Sequence, residues 1–123
     1  MKKIYAAVLL IIVMCILAGC GDDDKYVSMV KNGSMELAPN IKIGRAFDKF
    51  FGNPKWKSFK ATDGRRIVEF NGECTWNGKD AKCCIQFIIT GTEHFELGAV
   101  QINDVNMNRL DATGILYTAL SGE

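Results

Sequence analysis

Two periodicities divide this chain. Ile43, Ala46, Phe47, Phe50 and Phe51 recur three and four residues apart, which draws one apolar stripe down a short helix over residues 43–51. Gly52-Asn53-Pro54 then predicts its end, with Gly52 as a left-handed cap and the proline blocking continuation. From residue 55 the period changes to two. Residues 55–60, with Trp56 and Phe59, predict a first strand, and Thr62-Asp63-Gly64 a turn. Residues 65–75 alternate cleanly. Val68, Phe70, Gly72, Cys74 and Trp76 share one face, while Ile67, Glu69, Asn71, Glu73 and Thr75 share a mostly polar one. A turn at Asn77-Gly78-Lys79-Asp80 leads to a third strand, whose apolar face is Ala81, Cys83, Ile85, Phe87 and Ile89.

Gly91-Thr92-Glu93 turns the chain into a fourth strand over residues 94–102, with a less regular alternation. Residues 105–120 carry Leu110, Ile115, Leu116, Ala119 and Leu120 and predict a closing helix. Gly114 weakens that helix by about 1 kcal/mol relative to alanine. Helix, four strands, helix describes an α+β domain, an antiparallel meander with helices on one face of the sheet.

The amino terminus follows neither period. Met1-Lys2-Lys3 precedes an apolar run over residues 4–17, and Leu17-Ala18-Gly19-Cys20 closes it. This charged start, apolar stretch and small-residue box before a cysteine resembles the signal of bacterial lipoproteins. The resemblance implies cleavage before Cys20 and a diacylglyceryl group on its thiol. Two or three acyl chains anchor a protein stably, where one alone does not. A retained membrane span over residues 4–19 is the competing reading, but sixteen apolar residues fall short of the roughly 20 needed to cross a bilayer. No basic cluster follows; Gly21-Asp22-Asp23-Asp24 is acidic.

The expected organisation is a removed signal at residues 1–19, a lipidated Cys20 with a polar tether at residues 20–40, and one domain at residues 41–123. Order is expected to begin near Val27. Removal of residues 1–19 leaves 104 of 123 residues, enough for one domain. Lys2 and Lys3 leave with the signal, so 13 of the 15 basic residues face 14 acidic ones, a charge near −1. Without a basic excess, and with export, nucleic acid is not an expected partner. The expected location is the cell membrane or outer membrane, lipid-anchored and facing the periplasm or exterior. Gly21 does not supply the aspartate that retains many lipoproteins at the inner membrane, although Asp22 follows at the next position.

Cysteine placement raises a second chemistry. A four-residue loop after Trp76 sets Cys74 opposite Cys83, whereas a two-residue Asn-Gly turn makes them diagonal neighbours. Either register keeps both on one face, and an oxidising compartment permits a bridge, so a Cys74–Cys83 disulfide is expected. Two reduced thiols in an apolar face are the alternative. Cys84 points to the other face and is the odd thiol, open to pairing between chains. Zinc needs four ligands at close spacing, which adjacent Cys83 and Cys84 and a distant His94 do not provide; neither metal nor cofactor is expected.

The residues that would make an enzyme are sparse. His94 is the single imidazole, and no Gly-x-Ser-x-Gly elbow accompanies it. Glu69 and Glu73 share a strand face but lie roughly 13 Å apart, too far for paired carboxylate chemistry. The Asp22-Asp23-Asp24 triplet lacks the spaced ligands of a calcium loop. A non-catalytic protein is therefore expected. Lys55-Trp56-Lys57, Lys60, Arg65 and Arg66 form a candidate interaction patch around the first hairpin, since tryptophan and arginine anchor interfaces. The competing reading packs Trp56 beneath the helix and leaves the lysines as solubilising groups.

Residues 43–72, with Ala46-Phe47, Phe50-Phe51 and Pro54-Lys55-Trp56, and then Ile85-Gln86-Phe87, resemble a group of small exported or lipid-anchored bacterial domains. That group implies a coherent domain and no particular activity. A fainter architectural likeness connects the pattern to the small lipoprotein of the outer-membrane barrel-assembly machine and to β-lactamase inhibitory proteins. Fold alone does not assign function. The leading expectation is a lipid-anchored interaction module with an envelope protein partner. The alternatives are a small ligand binder or hydrolase with a pocket between sheet and helices, and an inhibitor or exclusion lipoprotein.

Overall fold

The computed structural model describes residues 20–122, with side chains from Lys25 onward. The expected signal segment, residues 1–19, lies outside the described residues. The architecture is α+β: α1 (Cys20–Asn32), α2 (Ile43–Phe50), β1 (Gly52–Lys60), β2 (Arg66–Trp76), β3 (Lys79–Ile89), β4 (Phe95–Ile102), β5 (Val105–Asn106) and α3 (Arg109–Ser121). The strands pair antiparallel in simple sequence order, β1-β2-β3-β4-β5. Among the described residues no helix is long and apolar enough to cross a membrane.

The central hairpin follows from its turn. Asn77 and Gly78 take φ of 53° and 78°, the left-handed pair that a two-residue hairpin turn requires. Trp76 therefore opposes Lys79, which places Phe70 opposite Ile85 and Val68 opposite Phe87. Val68, Phe70, Ile85 and Phe87 are all fully buried. All three helices contribute to the same core: Val30 from α1, Ile43 and Phe47 from α2, and Leu116, Ala119 and Leu120 from α3. Among the described residues no helix covers the opposite face. Phe47 is the hub, with ring centroids 5.0 Å from Phe70, 5.4 Å from Phe51 and 5.9 Å from Trp56.

Four expectations change. The tether is helical from Cys20 to Asn32, and Val30 is fully buried, so the domain includes residues assigned to a linker. The aspartates conceal this helix because its apolar contacts, Tyr26, Val27 and Val30, come only in its second half. The α2 stop also differs. Phe51 is extended (φ −89°, ψ 149°), Gly52 already belongs to β1, and Asn53 carries the positive φ of 46° at a bulge.

A fifth strand precedes the last helix. Asn103 and Asp104 (φ 51° and 69°) make another two-residue left-handed turn, so Val105 and Asn106 pair back onto β4. The helix consequently starts at Arg109, where the Asn108 side chain accepts a 2.7 Å hydrogen bond from the Asp111 N–H. Finally, Leu110 is 81 % exposed and lies outside the apolar face to which it was assigned.

Candidate functional site

The uncovered face of the sheet is built by strand alternation. Lys57 opposes Glu69, Glu69 opposes Gln86, and Gln86 opposes Ala99; one row over, Lys55, Asn71, Cys84 and Gln101 line up across the same four strands. The side chains of Lys57, Gln86 and Asn71 join into one network centred on Glu69. Gln86 Nε2 donates to Glu69 Oε1 at 2.8 Å, and Asn71 Nδ2 donates to Glu69 Oε2 at 2.9 Å. Lys57 Nζ lies 3.2 Å from Oε2, and the Glu69 side chain is only 13 % exposed.

Burial alone would push this carboxyl up. The hydrogen bonds from Gln86 and Asn71, with the Lys57 charge, overcome it and hold Glu69 below its ordinary 4.5. A lowered folded-state pKa stabilises the fold above pH 4.5, and that contribution is lost as pH falls through the folded value. Glu69→Gln should therefore destabilise the protein by about 1–3 kcal/mol at neutral pH, because a donor then faces donors in a half-buried site. The deficit should shrink steadily below pH 4.5. Paired urea melts at pH 7 and pH 3 check this, and an equal deficit at both would refute the network.

The structure separates the proposed patch around the first hairpin. Trp56 faces the core: its ring lies 4.8 Å from Phe70, and its indole N–H donates to Asp48 Oδ1 at 2.9 Å. It is a packing residue beneath α2, as its face on β1 requires. Lys55 and Lys57 lie on the uncovered face. Arg65 sits in the hairpin loop, with Nε 2.8 Å from Asp63 Oδ2, and Arg66 lies on the helix side over the Tyr26 ring at 4.7 Å. Of the patch, Lys57 alone is paired with Glu69. Sequence reading classed Glu69 as part of a solvated face; its register opposite Gln86 and Lys57 was the available signal.

Cys74, Cys83 and Cys84 are free thiols. The expected Cys74–Cys83 bridge is absent because Cys74 opposes Ala81 and Cys83 opposes Gly72. That register makes them diagonal neighbours, whose thiols are in hydrogen-bond contact with no S–S bond between them. Burial pushes Cys83 up to about 12, with Cys74 beside it adding to the shift. Burial also raises Cys84 to about 12, reinforced by the Glu69 carboxylate. Iodoacetamide at pH 8 should therefore label half-buried Cys74 first and the other two only on unfolding. Mass spectrometry of the native protein reads this directly; equal rapid labelling of all three would contradict the packing.

His94 is exposed, and its carbonyl accepts from Thr90 and Gly91 in the turn before β4. Glu73 is also exposed and accepts from Asn53 at 3.1 Å, apart from the Glu69 network. Among the described residues no group of three His, Cys, Asp or Glu side chains is placed to hold a metal. No family model, curated protein or solved structure matches the chain.

Proposed function

We propose that this chain is a lipid-anchored, non-catalytic module of the cell envelope that binds an envelope protein through the uncovered face of its sheet. The observation carrying this reading is the layering: three helices pack on one face, and the other presents an ordered Lys57–Glu69–Asn71–Gln86 network to solvent. A row of amides and charges held in register offers donors and acceptors whose geometry is set before a partner arrives. Such preorganisation lowers the ordering cost of association. The short charged start, apolar run and Leu17-Ala18-Gly19-Cys20 box support acylation at Cys20, at the first residue of α1.

The test is site-specific photocrosslinking in intact cells. A photoreactive residue replaces Gln101 on the uncovered face or Thr113 on the exposed side of α3, each with and without Cys20→Ser. One protein captured from position 101, absent from position 113 and lost with Cys20→Ser, supports the proposal. Equal capture from both positions, or none from position 101, overturns it.

A further inference from the structure

A groove lies on the helix side, away from the Glu69 network. It occupies about 580 Å³ between α2 and the last turn of α3. Among the described residues its charged groups are Lys42, Arg45 and Lys49, and no described carboxylate lines it. Arg45 and Lys49, four residues apart, share one side of α2, and Lys42 is the extended residue that caps its amino end. All three are exposed, and none forms an ion pair among the described residues. Beneath them the wall is hydrocarbon, from Ile41, Phe50 and Leu120.

Some of that charge serves the fold. The carboxyl end of α3 points to this groove, and α3 has no basic residue in its own last turn. A helix end is equivalent to roughly half a negative charge. Three cations exceed it several-fold, so a surplus of positive charge stands over an apolar wall in a space of small-molecule size, about 300–1,000 Å³. Charge above and hydrocarbon below select for a molecule with both.

We propose that this groove binds an anionic amphiphile, with a phosphate or carboxylate head on Lys42, Arg45 and Lys49 and an alkyl tail along Ile41, Phe50 and Leu120. The head group can come from a bilayer lipid or from a free acyl or alkyl anion. The site is separate from the sheet face and does not depend on its role in binding a protein.

The experiment titrates the full chain with dodecyl phosphate, with inorganic phosphate as the tail-less control and dodecyl maltoside as the uncharged one. Arg45→Gln/Lys49→Gln is the variant; both positions are exposed, and its melting curve verifies folding. Saturable one-site binding of dodecyl phosphate is expected, weakened about tenfold or more in the variant. Displacement by phosphatidylglycerol vesicles identifies a lipid source, and failure of displacement identifies a free amphiphile; both support the site. Equal affinity for dodecyl maltoside, unchanged affinity in the variant, or binding to vesicles without binding to monomeric dodecyl phosphate overturns it.

Discussion

Phe47→Ala should lower the melting temperature by about 15–30 °C, at about 4–8 °C per kcal/mol for a domain of this size. The ring is fully buried and contacts aromatic rings from its own helix end, β1, β2 and β3: Phe51, Trp56, Phe70 and Phe87. Truncating such a residue costs about 3–5 kcal/mol, because transfer energy is lost and the surrounding rings cannot all collapse into the space. A small domain has only about 5–15 kcal/mol of stability, so the variant approaches the threshold of folding. Phe47→Leu should lose much less. Thermal and urea melts of both variants test the hub. A Phe47→Ala midpoint within a few degrees of wild type would show that Phe47 is not the keystone of this core.

Gly44→Val should release α1 from the rest of the domain. A β-carbon at Gly44 would lie 2.6 Å from Lys31 Cβ and 3.0 Å from Lys31 Cα, so relief requires movement of the α1 backbone and not merely of a side-chain tip. Overpacking of this kind costs about 1–3 kcal/mol, and the backbone clash places this variant toward the upper end. The effect should be local first. Val30 leaves the core, and the 2.9 Å bond from Ile43 N–H to the Gly33 carbonyl is stretched. Hydrogen exchange should accelerate at residues 25–32 well before the β2–β3 amides respond. Unchanged exchange in that segment would mean that α1 does not depend on this crossing.

These two residues illustrate different degrees of legibility. Phe47 was visible as a core residue from its helical spacing with Ile43 and Phe50, since a three-and-four repeat has one physical meaning on a helix. Gly44 carries no such mark. Its need arises from Lys31, thirteen positions earlier, in a segment whose aspartates make it read as solvated. The uncovered face falls between these cases. Alternation placed Glu69 and Asn71 on one side of β2, but the two-residue turn at Asn77-Gly78 selected Gln86 and excluded a directly opposed Cys74–Cys83 pair. Trp56 was legible both ways, as part of a basic surface patch or packed beneath the helix, and its strand parity sends the ring inward.

Local pattern alone specified the α+β class, the order of the meander, the inward face of β2 and β3 and the end of the last helix. Each depends on local periodicity or on a turn residue that a few neighbouring positions specify. Long-range packing set the rest: α1 joins the core, Asn103-Asp104 adds a fifth strand, Glu69 gathers its partners, and Lys42, Arg45 and Lys49 meet the end of α3. Those features depend on which distant segments approach one another. Hydrophobic burial sets that approach across the whole molecule, so no short window of residues contains it.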